Sequence, residues 1–214
     1  MSEKELIIGM AIGDGHITKK GELCIGHSSI YRDYLYYKYN LLKENNIKCR
    51  KIYENNKISG YSTHSIIKFS TTRTFVGKEI REYLYPFDIK IIPDDLIITP
   101  IMWSFIYQDD GRQNKTSHYN TKINGVYERV DVDPWVNRYT IYTDSFNEKS
   151  IYNLQKSLLF YDVESSINYS NKNKYPHIHI GKKESKTNFK NLIDPYITEC
   201  MRYKMNLPTY IIQE

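Results

Sequence analysis

The sequence predicts an α+β protein assembled from two copies of one αββαββα unit, and three observations carry that expectation. Two apolar, helix-like runs end in the same dipeptide, Leu6 to Asp14-Gly15 and Trp103 to Asp110-Gly111, with their aspartates 110 − 14 = 96 residues apart in a chain of 214. Each run is followed by the same order of strand-like and helix-like segments. Gly9 and Gly13, four apart, lie on one face of the first run and remove side chains that hold a partner helix at a distance. Packing the runs along that face brings one carboxylate from each half to a common point.

An Asp in that position is electrostatically misplaced. The unpaired carbonyls of a helix C-terminus carry about half a negative charge, which repels a carboxylate by about 0.3–1 kcal/mol and normally attracts Lys or Arg. A bound cation is the simplest compensation. The glycine after each Asp is expected to end the helix as a left-handed cap.

After the first run, His16 to His27 alternates around Lys19-Lys20-Gly21, which reads as strand, tight turn and strand. A helix follows from Tyr31 to Glu44, with Tyr34, Leu35, Tyr39, Leu41 and Leu42 near helical spacing and Asn45-Asn46 as its stop. Lys48–Tyr53 and Tyr61–Ser70 read as a hairpin across Glu54–Lys57, with Ile67 and Phe69 opposed in period two to Ile66, Lys68 and Ser70. A helix from Thr74 to Leu84 closes the unit before Pro86 and Pro93.

The junction Ile92-Pro93-Asp94-Asp95 divides the chain into 1–95 and 96–214, with no low-complexity linker between the halves. In the second half the expected elements are a strand Arg138–Thr143, a helix Asn147–Phe160 behind a Ser145 cap, strands Val163–Tyr169 and His177–Gly181, and a helix Lys186–Tyr196. The polar stretch Arg112–Asn137 is longer than its counterpart and holds Asn124-Gly125 and Asp133-Pro134, so it reads as a long hairpin or an inserted loop.

Composition bounds the function loosely. Thirty basic and 25 acidic residues leave a formal charge of +5, too modest an excess to specify a nucleic-acid partner alone. Cys24, Cys49 and Cys200 have no paired spacing and fit neither a disulfide framework nor a zinc site. No run reaches 18 apolar residues and the N-terminus has no signal-peptide pattern, so a soluble protein of the cytoplasm, or of an organelle matrix, is expected, without a membrane partner.

The two Asp-Gly motifs come with specific flanks: Lys90-Ile91-Ile92-Pro93, Thr99-Pro100 before the second motif, Thr143-Asp144-Ser145-Phe146 before a helix, and Tyr203-Lys204-Met205-Asn206-Leu207-Pro208. With these, the chain resembles a single-chain LAGLIDADG homing endonuclease over nearly its whole length. The resemblance implies two pseudo-symmetric αββαββα subdomains, LAGLIDADG helices at their interface, and antiparallel β-saddles facing double-stranded DNA. It implies a monomer that breaks both strands of a long asymmetric target by divalent-metal-dependent hydrolysis. Two or three Mg²⁺ ions would be held at Asp14 and Asp110, assisted by the main-chain carbonyls of Gly13 and Asp109. The basic residues of the family pattern fall on Lys90 and Lys204, which on their own read as solvated surface lysines. Ile12 departs from the acidic sixth residue of the family's first motif, which is not the metal ligand, so catalysis is expected to be intact; Phe105 departs from the small residue of the second, which points to a less symmetric helix contact.

The chemistry agrees with the carboxylate pair. Mg²⁺ ions about 3.5–4 Å apart activate water and stabilise the leaving oxygen of a phosphodiester without a protein nucleophile. Hard oxygen ligands suit that ion.

Base reading is expected from the outer faces of the strands, because a two-stranded ribbon fits the major groove. The candidates are His16, Thr18, Lys20 and Glu22; Lys48, Arg50 and Tyr53; Tyr61, Thr63 and Lys68; Arg112, Asn114 and Lys115; Arg138 and Thr140; Asn168, Ser170 and Lys172; and His177 and His179. Lys182 and Lys183 read as phosphate contacts, which position without specifying. His177 and His179 share a strand face with no third ligand at metal spacing, and His27, His64 and His118 show none either, so zinc is not expected. Two other functions fit the same fold: a maturase that binds its own intron RNA with little nuclease activity, and a DNA-binding module whose Asp-Gly motifs only cap helices.

Overall fold

The computed structural model describes residues 1–55, 64–114, 118–123, 126–131, 138–170 and 175–205. In chain order the first half contains α1 (Glu3–Ile12), β1 (His16–Ile17), β2 (Leu23–Ser28), α2 (Arg32–Glu44), β3 (Tyr53–Asn55), β4 (Ile66–Ser70) and α3 (Phe75–Leu84). The second contains α4 (Pro100–Asp110), β5 (Gly111–Asn114), β6 (His118–Ile123), β7 (Val126–Asp131), β8 (Arg138–Tyr142), α5 (Glu148–Leu159), β9 (Ser166–Ser170), β10 (Tyr175–Ile180) and α6 (Lys183–Ile193). Two four-stranded antiparallel sheets result, in the orders β1-β2-β4-β3 and β5-β8-β10-β9. With the extra β6–β7 pair set aside, these orders are the same. The repeat read from the sequence is therefore a repeat of topology.

Local chemistry starts the two motif helices. The Ser2 hydroxyl accepts the Glu5 N–H at 3.2 Å while the Glu5 carboxylate accepts the Ser2 N–H at 2.8 Å, a reciprocal cap on α1. Pro100 occupies the first turn of α4, where its missing N–H costs nothing. Leu6–Ile12 and Ile101–Gln108 are buried throughout, so both are central helices without a solvent face.

The helices pack on each other where Gly9 leaves room. A Cβ built there would lie 2.9 Å from Met102 Cα and 3.0 Å from Phe105 Cδ2. The bulk of Phe105, which departs from the family pattern, is thus received by a glycine on the facing helix.

Several boundaries differ from expectation. Gly15 and Gly111 are not left-handed caps: Gly111 is extended at φ −97°, and among the described glycines only Gly21, in the β1–β2 turn, has positive φ, at 80°. Both are required by close approach, since a Cβ would lie 2.5 Å from Met10 O at Gly15 and 2.4 Å from Tyr107 O at Gly111. Lys48–Ile52 is not regular strand; β3 begins at Tyr53, where the expected strand ended. The cap of α5 is Asn147, whose Oδ1 accepts the Ser150 N–H at 2.8 Å, rather than Ser145.

In β4 the alternation holds, with Ile67 and Phe69 buried and Ile66, Lys68 and Ser70 half-buried. The stretch 112–137 resolves toward the hairpin reading: β6 and β7 pair antiparallel with Ile123 opposite Val126, while Asn124-Gly125 and Asp133-Pro134 fall outside the described residues. The junction is tied down by α5, where Ser150 Oγ accepts the Ile92 N–H at 2.9 Å and Asn153 donates to Ile92 O at 2.7 Å. No helix among the described residues is long and apolar enough to cross a membrane.

Candidate functional site

At the C-terminal ends of α1 and α4 the helix carbonyls meet lysines from distant segments. Lys90, in the segment after α3, donates from Nζ to Ala11 O at 2.9 Å and to Ile12 O and Gly13 O at 3.2 Å. Lys204, in the 3-10 segment Glu199–Met205 after α6, donates to Gln108 O at 2.6 Å and Asp109 O at 2.8 Å. The cation that each helix end calls for is therefore supplied in part by the chain itself. The Gly13 and Asp109 carbonyls, expected to assist a metal ion, accept from these lysines and keep a second lone pair.

Lys204 is placed by α4. The Tyr107 hydroxyl donates to Lys204 O at 2.8 Å, and buried Gln108 accepts from Thr198 N at 2.9 Å while donating to Tyr196 O at 3.3 Å. The motif helix thus straps down the segment carrying its own lysine. Burial lowers the pKa of both lysines against the raising effect of the aspartates, chiefly Asp110 for Lys90 and Asp109 for Lys204.

Three carboxylates gather between these ammonium groups. Asp110 is pushed up to about 7, first by burial and then by the charges of Asp14 and Asp109. Asp14 lies the other way: burial raises it, but the His27 hydrogen bond and the Lys38 and Lys204 charges outweigh that and hold it below the usual carboxylate range. This mutual crowding of oxygen donors suits a hard divalent cation, which removes the repulsion between them. Asp110 opens onto a cleft of about 660 Å³ whose lining includes Arg112, Gln113, Tyr142, Tyr203 and Lys204.

Asp109 has a different role from its neighbours. Its side chain is fully buried, its Oδ2 accepts the Asp14 N–H at 2.9 Å, and Lys38 of α2 donates to both its oxygens at 2.6 and 2.8 Å. Lys38, equally buried, also lies 3.2 Å from His27 Nε2 and 4.3 Å from the Tyr34 ring centroid. Gly13 makes this possible, because a Cβ there would stand 2.1 Å from Asp109 Oδ2.

His27, for which spacing indicated no ligand role, is in fact beside the site: its Nδ1 is 3.3 Å from Asp14 Oδ2. Asp14, His27 and Asp109 are the one group of metal-ligand type among the described residues. Sequence reasoning missed His27 and Lys38. Both carried a signal: His27 shares the inward strand face with Leu23 and Ile25, and Lys38 shares the buried helix face with Tyr34, Leu35, Leu41 and Leu42.

The expected DNA readers divide by exposure. His16, Lys20, Lys48, Arg50, Tyr53, Arg112, Arg138 and Asn168 are exposed and Lys68 half-buried. Arg50 is paired with Glu22 at 2.7 Å, and Lys68 lies 5.2 Å from the Tyr53 ring centroid. Thr18, half-buried, holds the turn, its Oγ1 accepting from Lys20 N at 3.3 Å and Glu22 N at 3.2 Å.

Thr140 is buried, with Arg112 and His179 opposite it on the neighbouring strands, so its hydroxyl is not presented to a groove. His177 is also buried, 3.3 Å from Asp144 Oδ1 and stacked edge-on with Tyr142 at 4.8 Å. His179 is half-buried, 2.9 Å from Asn168 Nδ2, and burial with the Arg138 and His177 charges pulls it down to about 4. Lys182, exposed, pairs with Glu164, and Lys183 opens α6. Tyr61, Thr63, Lys115 and Lys172, and the side chains of Asn114 and Ser170, lie outside the described residues.

Comparison with known proteins agrees with this architecture. The model of the LAGLIDADG DNA endonuclease family matches residues 4–187. The DNA endonuclease I-ChuI of Chlamydomonas applanata is 24% identical over 233 residues, covering 95% of this chain and 94% of that one. An uncharacterized protein of Methanocaldococcus jannaschii is 24% identical over 204 residues, covering 94% and 72%. Among solved structures, the homing endonuclease I-WcaI bound to its DNA recognition sequence superposes with a TM-score of 0.69 at 23% identity, covering 94% of this chain and 84% of that one. I-DmoI in complex with DNA and Mn gives a TM-score of 0.51 at 17% identity, covering 89% and 94%.

Proposed function

Because the chain belongs to the LAGLIDADG DNA endonuclease family, we propose that it is a monomeric homing endonuclease that hydrolyses both strands of a long, asymmetric DNA site with divalent metal, Asp14 and Asp110 being the ligands. The observation that carries this reading is a lysine on the carbonyl end of each motif helix, Lys90 on the first and Lys204 on the second, both lying within the field of Asp14 and Asp110. The halves 1–95 and 96–214 each contribute one such end and one sheet, so each addresses one part of the target. Their differing strand faces make the two parts unlike.

Asp14 and Asp110 would hold Mg²⁺, which would supply a water of lowered pKa and a counter-charge for the phosphate. The chain's own residues do the rest. Asp110 must give up its proton to act as a ligand, and the adjacent Lys90 and Lys204 charges favour that. Those ammonium groups, half-buried and fixed on main-chain carbonyls, keep positive charge where the phosphate gains negative charge, with no reorganisation needed at that moment. Arg112, Arg138, Lys20 and Lys48, all exposed, are available to the DNA backbone and base edges.

The test begins with selection of cleaved sites from a random DNA library in Mg²⁺. On the selected site, Asp14→Asn and Asp110→Asn are each expected to abolish double-strand cleavage while DNA affinity stays within about tenfold, or about 1.4 kcal/mol. Full cleavage by either variant overturns the assignment.

A further inference from the structure

Asp14, Asp109, Lys38 and His27 form a closed ring of contacts that the reaction as described does not use. The Asp14 N–H donates to Asp109 Oδ2, Lys38 Nζ bridges Asp109 and His27 Nε2, and His27 Nδ1 returns to Asp14 Oδ2 at 3.3 Å. The ring joins α2 and β2 of one half to α4 of the other. It grips Asp14 at both its main chain and its side chain.

The protons in the ring can be assigned by counting donors. An ammonium group has three protons and accepts none. Two of those of Lys38 face the Asp109 oxygens, at 2.6 and 2.8 Å, and the third faces His27 Nε2 at 3.2 Å. Nε2 is therefore the accepting nitrogen, the ring is neutral, and its proton sits on Nδ1, where it donates to the ionised Asp14. Three of the four partners are sealed from water: Lys38 and the Asp109 side chain are fully buried and the His27 side chain is 6% exposed. Asp14, at 42%, is the member that faces outward.

The same geometry excludes a metal ion inside the ring. Asp14, His27 and Asp109 have ligand atoms within 4.8 Å of one another, but the Lys38 ammonium already sits on both Asp109 oxygens and against His27. A second cation there meets a fixed positive charge. The ring therefore acts on whatever Asp14 binds on its open side.

We infer that His27 is a positioning residue for metal binding: buried Lys38 fixes its tautomer, and its Nδ1–H fixes one oxygen of Asp14 so that the other faces the bound ion. The inference rests on the reading of Asp14 as a metal ligand. A hydrogen-bond partner behind a metal ligand typically changes affinity by 10–100-fold. The equivalent support is missing at Asp110, whose carboxylate accepts no hydrogen bond among the described residues and is affected by its neighbours only through charge. His177, in the other sheet, is directed to Asp144 instead.

The experiment uses the full chain on its selected target carrying non-hydrolysable scissile linkages, with Mn²⁺ binding read by electron paramagnetic resonance. His27→Leu removes the donor; His27→Asn keeps an N–H near the Nδ1 position. His27→Leu is expected to weaken Mn²⁺ binding about 10–100-fold, with DNA affinity and melting temperature near those of the parent, and His27→Asn to recover most of the loss. Wild-type Mn²⁺ affinity in His27→Leu overturns the inference, as does a His27→Asn variant as weak as His27→Leu, which makes the residue one of packing only. Asp14→Asn separates the two layers: if it too leaves Mn²⁺ binding unchanged, the ligand assignment itself has failed.

Discussion

Asp14 and Asp110 end equivalent helices with a lysine on the carbonyls of each, yet their carboxylates sit in opposite electrostatic surroundings. Asp14 is hydrogen-bonded by His27 and held low; Asp110 has no such partner among the described residues and is driven up to about 7. The difference starts one residue earlier. Where the helices approach, Gly13 faces Asp109, and the 2.1 Å from a Cβ at Gly13 to Asp109 Oδ2 leaves room for a side chain on only one of them. The second helix carries it, as a buried acid. That acid requires a buried cation, and Lys38 supplies it from α2, so a fully buried ion pair stands on the Asp14 side of the site. Backbone-directed contacts keep the symmetry of the repeat, and side-chain charge breaks it.

The largest test of this comparison is removal of the cation. Lys38→Met leaves Asp109 buried and unpaired, which is expected to cost about 3–5 kcal/mol in metal-free urea denaturation. Leu154→Met on the buried face of α5, away from this ion pair, is expected to cost under about 1.5 kcal/mol. The double variant Lys38→Met/Asp109→Ala removes both charges and is expected to recover most of the loss. A double variant as unstable as Lys38→Met shows that packing around α2, and not the pair, separates the halves.

The same comparison explains what a reader of the sequence sees. Both motif helices, the glycine face, the repeated order and the presence of an insertion were legible, because period, Gly and Pro act within a few residues. Caps and ends were less so: Asn147 and Ser145 are both competent caps, and only the fold selects between them. Lys90 and Lys204 were reached through family resemblance, since an isolated lysine reads as surface. Lys38 is different, because it stands four residues from Tyr34 and three from Leu35 on the buried face. The pattern announces a buried charge but cannot name Asp109, 71 residues away, as its partner. Thr140 failed for the opposite reason: its alternation is right, but neighbouring strands cover it.

A smaller effect sharpens the steric origin of the asymmetry. Gly13→Ala drives a methyl group into Asp109 and is expected to cost about 1–3 kcal/mol by overpacking. Gly181→Ala, with nothing within 4 Å of its Cβ position, is expected to stay within about 0.5 kcal/mol of the parent. In an Asp109→Gly background the Gly13→Ala penalty is expected to shrink, since the obstructing carboxylate is gone. If it persists unchanged, the crowding lies in the helix backbones, and the choice of which motif carries the acid was not forced.

The smallest effect is the pH dependence, where the two aspartates pull in opposite directions. The folded pKa of Asp110 is above its unfolded value, so its contribution to stability is complete below about pH 4 and is lost as pH rises through 7. Asp14 is lowered by folding, so its contribution is present above about pH 4 and is lost as pH falls through its depressed value. Full linkage at Asp110 corresponds to ~4 kcal/mol at neutral pH. Water entering the adjoining cleft and movement of the two lysines reduce what an experiment reads to on the order of 1 kcal/mol. Asp110→Asn is therefore expected to stabilise the metal-free protein at pH 8 by about that amount and to flatten its stability between pH 4 and 7, even as cleavage is lost. Asp14→Asn is expected to stabilise it at no pH in that range, because the amide forfeits attraction from His27 and Lys38. Denaturant midpoints at pH 5 and 8 decide the matter, and destabilisation by Asp110→Asn at pH 8 makes the two carboxylates alike. On the proposed ligand assignment, Mg²⁺ would displace a proton from Asp110 but not from Asp14, so its affinity is expected to fall as pH drops through 7 on the Asp110 side of the site only.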